Sequence, residues 1–281
     1  MSTKKRSVPA QRPYRHEWKH EISRADLIAI RQRLRAVAEC DPHAEGGKYR
    51  IRSLYFDNLY DKALREKIDG VDRREKFRIR YYNGDTSFLS LEKKSKVNGL
   101  GLKSAERLTE AEARSILEGD TAWMAEASDR PVVQELYFKM RTQGLRPQTI
   151  VDYTREPYIY RPGNVRVTFD YDLRTGLRRT DFLDPDCPTV PAGDPVVLLE
   201  VKWDAFLPDI IRDAVQTPGR RVSAFSKYAR SRIYDYDFGR ETFVSRPKAR
   251  SRGARLSAAH PHAPARLRAA AKTIACNPAG L

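Results

Sequence analysis

The sequence predicts an α+β fold: a closed antiparallel β-barrel with a charged interior, an apolar outer wall and helices packed outside. Three observations predict it. Several strand-like segments alternate strictly between apolar residues and a polar set rich in Arg and Lys. Single carboxylates, at Glu17, Glu21, Glu92 and Glu200, fall among those cations at the same parity. The helical segments between the strands have apolar sides that need a surface to cover. Successive side chains of a strand point to opposite faces, so each such strand has one charged and one apolar face. Turning every charged face inward and every apolar face outward satisfies the strands and the covering helices together.

Each element follows from local pattern. Residues 1–13 are basic and read as disordered. Residues 15–22 alternate, with Arg15, Glu17, Lys19 and Glu21 opposite His16, Trp18, His20 and Ile22. The two histidines therefore belong to the apolar wall. Ser23 with Asp26 forms a capping box that opens a helix, whose apolar side includes Ile28, Leu34 and Val37. Gly46-Gly47 breaks the chain. Residues 49–56 are β-rich and end at Asp57-Asn58. Residues 59–68 read as a helix closed by Gly70. Residues 76–82 alternate most clearly: Lys76, Arg78 and Arg80 oppose Phe77, Ile79 and Tyr81. Asn83-Gly84 is a hairpin signal, and 86–97 is the return strand. There Ser90, Glu92, Lys94 and Lys96 share one parity, and Leu89, Leu91 and Lys93 the other.

Residues 98–103 form a Gly-rich loop with neither Walker spacing nor a complete dinucleotide fingerprint. Helices follow at 109–117 and 131–142. Residues 148–160 form a strand with Tyr153 and Arg155 on one parity. In the strand 165–172, Arg166, Thr168, Asp170 and Asp172 oppose Val165, Val167, Phe169 and Tyr171. Asp170 and Asp172 either face the lumen or end the strand, and structure is the favoured reading. Residues 173–195 read as a loop. In the strand 196–203, Leu198, Glu200 and Lys202 oppose Val197, Leu199, Val201 and Trp203. Helices at 208–215 and 225–236 complete a single domain over 14–240. Residues 241–281 are a basic, Ala/Arg/Pro-rich tail read as disordered. Tyr55, Tyr81 and Tyr82 are placed in the wall or core, with stacking of one of them on an adenine ring as the alternative.

The 281 residues carry 53 Lys+Arg against 37 Asp+Glu, a net charge of +16. Residues 1–14 hold +4 and residues 241–281 hold +7, leaving +5 for 15–240. That balance suits nucleic acid, anionic membrane or polyanionic substrates without choosing among them. No zinc spacing and no interleaved aromatic–basic motif supports nucleic acid as a partner. Cys40, Cys187 and Cys276 show no metal-ligand or redox spacing, which points to a reducing, cytoplasmic setting. No secretory signal and no apolar run near 18 residues is present, so any coupling to transport across a membrane would need another protein, a membrane protein being the candidate partner.

Cations crowded into a lumen cost several kcal/mol each when desolvated without partners. They call for a bound polyanion, and an elongated one suits a tunnel. Phosphate is the usual match, with Arg binding bidentately and Lys acting as a point charge. Carboxylates among the cations suit a hard divalent metal that neutralises phosphate charge.

Glu17-Trp18-Lys19, Ser53-Leu54-Tyr55-Phe56-Asp57-Asn58, Phe77-Arg78-Ile79-Arg80-Tyr81, Leu91-Glu92-Lys93-Lys94-Ser95, Val165-Arg166-Val167, Leu199-Glu200-Val201-Lys202 and Phe225-Ser226-Lys227-Tyr228 come in that order. Over about residues 14–236 they resemble the VTC domain, the polyphosphate polymerase domain of the vacuolar transporter chaperone complex and its bacterial relatives. That family belongs to the triphosphate tunnel metalloenzymes, CYTH-like proteins with an eight-stranded antiparallel tunnel. The resemblance implies transfer of the γ-phosphate of ATP onto a polyphosphate chain with a divalent metal, Mn²⁺ or Mg²⁺. It implies phosphate binding by Lys19, Arg78, Arg80, Lys94, Lys103, Arg155, Arg166 and Lys227, with Arg78, Arg80, Lys94 and Arg166 catalytic. It implies Glu200 as metal ligand, with Glu17, Glu21 and Glu92 as helpers. One departure matters: Arg15 stands where the wider superfamily often has the first Glu of Glu-x-Glu-x-Lys, which argues against a CYTH-type triphosphatase or cyclase. The alternatives are a triphosphatase on the same scaffold and a non-catalytic polyphosphate-binding module.

Overall fold

A computed structural model of the chain describes residues 15–98, 100–217, 221, 222 and 225–235. The predicted basic termini, 1–13 and 241–281, lie outside the described residues.

In chain order the elements are β1 His16–Ile22, α1 Arg24–Val37, β2 Glu39–Cys40, β3 Tyr49–Asp57, α2 Lys62–Ile68, β4 Arg74–Tyr82, β5 Asp85–Val97 and β6 Leu100–Leu108. Then follow α3 Glu110–Glu118, α4 Trp123–Glu126, α5 Pro131–Gln143, β7 Arg146–Tyr160, β8 Val165–Thr175, β9 Val190–Pro191, β10 Val197–Trp203, α6 Asp209–Ala214, β11 Arg221–Val222 and α7 Lys227–Ser231. The strands pair antiparallel in the order β11-β1-β10-β8-β7-β3-β4-β5-β6, with β2 on β7 and β9 on β8. Eight of them are long, and together they curl into a half-barrel.

Local chemistry explains the joints. Ser23 and Asp26 form the expected capping box on α1, and Thr109 with Glu112 forms a second on α3. Asn83 (φ 52°) and Gly84 (φ 80°) are both left-handed, which gives the β4–β5 turn the twist that a tight hairpin needs. α2 begins at Lys62, three residues later than the pattern predicts. Asp57 and Asn58 cap it from a distance: Asp57 accepts from the amides of Ala63 and Leu64, and Asn58 from that of Lys62.

The convex face is apolar and covered, as the parity predicts. Leu54, Phe77, Ile79 and Leu91 pack under α3, α4 and α5 through Ile116, Met124 and Leu136. Val167, Phe169, Leu199 and Val201 pack under α1 and α6 through Ile30, Leu34 and Ile211. His16 stacks on Trp203, and His20 is buried on the same side. Lys93 shares this outward parity and is held by Glu75 at 3.1 Å and by Glu135 of α5; Lys139 of α5 also pairs with Glu75.

Four expectations need correction. The closed barrel is not formed in the hydrogen-bonded ladder of the described residues, which ends at β6 on one side and at two-residue β11 on the other. The Gly-rich stretch 98–103 is not a loop. Asn98 (φ 51°) turns the chain, and from Leu100 it pairs with β5 along its whole length, because a glycine with no side chain obstructs nothing in a hairpin. Ile28 is 53% exposed, since the core-facing set of α1 is Leu27, Ile30 and Leu34. Within 173–195, β8 runs on to Thr175, β9 pairs with it, and Phe182 fills the convex core. Among the described residues no helix is long and apolar enough to cross a membrane, a statement that does not extend to strands.

Candidate functional site

Register places the predicted site residues on one surface, the concave face. Lys19 lies directly opposite Glu200, and Glu17 opposite Lys202, on paired β1 and β10. Arg155 lies opposite Asp170 on β7 and β8. Arg78 lies opposite Glu92 on β4 and β5, and Lys94 opposite Lys103 on β5 and β6. Lys227 reaches the same surface from α7.

Three buried carboxylates each gather cations. Glu200 lies 2.9 Å from Lys19, 2.9 Å from Lys202 and 3.9 Å from Lys227. Asp170 accepts a bidentate pair from Arg155 at 2.6 and 2.7 Å and pairs with Lys227 at 2.6 Å. Glu92 accepts from Arg78 at 2.7 and 2.5 Å and from Lys103 at 2.6 Å. Neutral oxygens take the remaining guanidinium donors. Arg78 donates to the Tyr55 hydroxyl at 2.9 Å, and Arg80 to Ser53 Oγ at 3.0 Å and the Tyr153 hydroxyl at 2.8 Å. Arg166 pairs with Asp41 at 3.1 Å, while its buried Nε has no partner. Tyr228 stacks on Tyr55, and its hydroxyl bonds Asp57 at 2.8 Å, which seats α7 against β3.

Cations exceed carboxylates here. The surface carries Lys19, Lys76, Arg78, Arg80, Lys94, Lys103, Arg155, Arg166, Lys202 and Lys227 against Glu17, Glu21, Asp41, Glu92, Asp170 and Glu200. The ionisation behaviour follows from that imbalance. Burial alone pushes Glu200 up, but Lys202, Lys19, Lys227 and Arg155 outweigh it and hold the carboxylate well below its ordinary range. Burial likewise raises Asp170, and Arg155 and Lys227 bring it down to about 2. Glu92 is held low by Arg78, Arg80 and Lys103 against the same desolvation. The lysines without a carboxylate go the other way. Burial, then Arg78 and Lys202, depress Lys94 well below the lysine range. Lys76 falls to about 8, through burial first and then Arg78, Lys19 and Lys67, against the opposing pull of Tyr55. Burial raises Tyr55, yet Arg78, Lys76 and Arg80 bring its hydroxyl down to about 8.

Lys94 on β5 is within electrostatic range of Glu17, Glu200 and Lys202 on β1 and β10, so the two ends of the ladder face one another across the concavity. The surface can hold an extended, multiply charged anion between opposing rows of cations.

The metal expectation divides. Glu17 sits beside Glu200, since the same two lysines bridge both; Glu17 is 3.5 Å from Lys19 and 3.4 Å from Lys202. Two hard oxygen donors on one face are of the kind that would hold a divalent cation. Among the described residues Glu92 shares no cation with Glu200, its partners being Arg78 and Lys103, and Glu21 lies opposite Leu198, further along β1. Among the described residues no three His, Cys, Asp or Glu side chains are grouped to hold a metal by themselves.

Several members of the surface were not assigned to the site from sequence. Asp170 is a buried counterion to Arg155 and Lys227, and its parity with Arg166 carried that signal. Lys202 shares parity with Glu200 two residues away. The hydroxyls of Ser53, Tyr55 and Tyr153 and the carboxylate of Asp41 had no local signal, because register alone brings them to their arginines.

A family model described as the VTC domain matches residues 14–234. Among solved structures, a Bacillus halodurans protein provisionally named an adenylate cyclase matches with a TM-score of 0.40 and 13% identity, covering 85% of this chain and 95% of that one. The PH1819 protein of Pyrococcus horikoshii matches with a TM-score of 0.35 and 16% identity, covering 72% and 84%. The PH1012 protein of the same organism matches with a TM-score of 0.34 and 11% identity, covering 72% and 85%. No curated protein matches the chain.

Proposed function

The chain belongs to the VTC domain family, and from that premise we propose that it is a phosphotransferase that moves the γ-phosphate of ATP onto a growing inorganic polyphosphate. The observation that carries this is the cation excess on the concave face, with Lys76 and Lys94 left without any carboxylate within 4.0 Å among the described residues. Desolvated cations without counterions are costly, and a polyphosphate supplies the missing charge in an elongated form.

In this mechanism Arg78, Arg80, Lys94, Lys103 and Arg166 hold the triphosphate oxygens, with Lys19, Arg155 and Lys227 along the opposite strands. A terminal oxygen of the acceptor chain attacks the γ-phosphorus in line. The β–γ P–O bond breaks, its electron pair leaves with ADP, and the acceptor grows by one phosphate. No covalent protein intermediate is needed, since alignment and charge neutralisation lower the barrier. Glu200 and Glu17 would hold a divalent cation, Mn²⁺ or Mg²⁺, which would supply further charge neutralisation. An anion bridging Lys94 and Lys103 to Lys19 and Lys202 would also draw the half-barrel toward a closed tunnel.

The test is incubation of the purified chain with ATP and Mn²⁺, resolved on a polyphosphate gel, with Glu200→Gln as control. Long polymer from the wild type and none from the variant is the expected result. Orthophosphate without polymer identifies a triphosphatase instead. Tight polyphosphate binding without turnover identifies a binding module.

A further inference from the structure

Toward the β4–β5 turn the concave face ends in a patch that the phosphate assignment does not use. Leu89 of β5 and its direct partner Leu108 of β6 are fully buried in the convex core. Alternation therefore turns Phe88 and Arg107 to the inner side. Their contact agrees with this. The Arg107 guanidinium lies 5.2 Å from the centre of the Phe88 ring and donates to the Ser87 carbonyl at 3.1 Å. Phe88 is 48% exposed, an apolar ring on a face dominated by charged and hydroxyl side chains. The exposure has a local cause. The pairs Arg80–Ser90 and Tyr82–Asp85 enclose one residue of β4 but four of β5, residues 86–89. A bulge of this kind re-aims the side chains within it, and it leaves Phe88 uncovered at the rim.

A single exposed apolar side chain needs no ligand. This one has beside it an arginine with donors to spare and the cations that hold a triphosphate. Arg107 has no carboxylate within 4.0 Å among the described residues. It lies opposite Ser90, and Ser90 opposite Arg80, so one line of register joins the patch to the inner site. Phe88 is two residues from Ser90, about 7 Å along the strand, a span comparable with that from a nucleobase to its α-phosphate. Tyr82, half-buried, stands two residues beyond Arg80 on the neighbouring strand. The Arg80 guanidinium is 5.9 Å from its ring, and Tyr49 packs edge-on against it at 5.5 Å. Bases stack on open aromatic faces and on guanidinium planes. Tyr55 and Tyr81 are buried and present no such face.

We propose that Phe88 and Arg107 form a purine platform at the β4–β5 end of the concave face, on which the base of the donor nucleotide stacks while its phosphates run inward to Arg80 and Arg78. It rests on the phosphate assignment of the inner site and adds to it a selection of nucleoside triphosphate over inorganic triphosphate. A purine is favoured over a pyrimidine because its larger ring system covers more of Phe88. With the base held at the rim, the γ-phosphate is the innermost part of the donor.

The experiment compares metal-free binding of ATP, CTP and inorganic tripolyphosphate by the full chain, wild type, Phe88→Leu and Phe88→Trp. Phe88→Leu keeps an apolar side chain and removes the ring. It is expected to weaken ATP about tenfold, the loss of one base–aromatic stack, and tripolyphosphate by less than about twofold. Wild type is expected to prefer ATP to CTP, and Phe88→Leu to lose that preference. Phe88→Trp is expected to hold ATP within about twofold of wild type, with its added indole fluorescence quenched by ATP and not by tripolyphosphate. Equal weakening of ATP and tripolyphosphate by Phe88→Leu, or unchanged ATP binding, overturns the platform. So does a single-stranded oligonucleotide of matched charge that binds wild type more tightly than ATP and loses its affinity in Phe88→Leu. Normal tripolyphosphate binding with no effect of the ring on ATP sinks the platform alone, whereas no tripolyphosphate binding by wild type sinks the inner-site assignment with it.

Discussion

Lys19 Nζ lies 2.9 Å from Glu200 Oε1, and the two residues are direct partners across β1 and β10. Glu200 thereby meets lysine on both sides, with Lys202 as close on its other oxygen. A carboxylate so enclosed is the counterion of those lysines and, in the proposed reaction, a donor that would help hold a metal.

Glu200→Gln should separate those roles. It removes the counterion of three lysines, and removing one partner of a buried pair costs about 3–5 kcal/mol; the partial exposure of Lys19 and Lys202 reduces that to about 2 kcal/mol. Metal-free tripolyphosphate should bind more tightly and restore the lost melting temperature, while metal-dependent turnover falls by at least about a hundredfold. Calorimetry in a chelator and the gel assay read the two effects. Weaker metal-free binding would contradict the counterion role.

Lys94→Met and Arg78→Ala should move stability in opposite directions while both impair turnover. Lys94 is a cation with like-charged neighbours, so its removal raises stability by about 1 kcal/mol. Arg78 neutralises buried Glu92, and its removal lowers stability by about 3 kcal/mol. Urea titrations of the two variants check the signs. A Lys94 variant that is less stable and turns over normally would refute the site.

Anion affinity should weaken as pH rises through about 8. Lys76 has a folded pKa of about 8, below the ordinary 10.5, and Tyr55 loses its proton over the same range. Below that pH Lys76 is charged and Tyr55 neutral, both favourable to an anion; above it both changes oppose binding. For stability without ligand the sign is reversed: the cost of charged Lys76 is fully present below about 8 and is relieved as pH rises toward 10.5. Tripolyphosphate titrations between about pH 6 and 9.5 should show this profile, made shallower by Lys76→Met. A profile unchanged by that variant would exclude Lys76.

Tyr228→Phe should cost about 1–2 kcal/mol by removing the hydroxyl that Asp57 and Arg232 both contact at 2.8 Å. Because Tyr228 adjoins Lys227, the KM for ATP should rise more than kcat falls. An unchanged KM would detach α7 from the site.

Strand faces were legible in the sequence because alternation is a local property. Lys76 through Tyr81 shows both faces within six residues, and the concave and convex sets follow. Pairing order was not legible, since nothing near Arg155 says that Asp170 will lie opposite it. Glycine misled at Gly101, where a residue without a side chain suits a hairpin strand as well as a loop. Ile28 misled for a related reason: hydrophobicity marks a candidate for burial, but helical phase decides it. The charge pattern announced a basic concave surface, while the counterions that tune it were set by long-range register.

Lys93 is outward, between Glu75 and Glu135, and its chain neighbours Glu92 and Lys94 are inward. The wall between α5 and the side chains of the concave face is thus a single peptide thick, pinned on its outer side by charges. With no flexible segment between them to absorb movement, α5 acts on Glu92 and Lys94 as a lever with a short arm. Surface changes at Glu135 or Lys139, remote from any ligand, are therefore expected to register as altered grip inside.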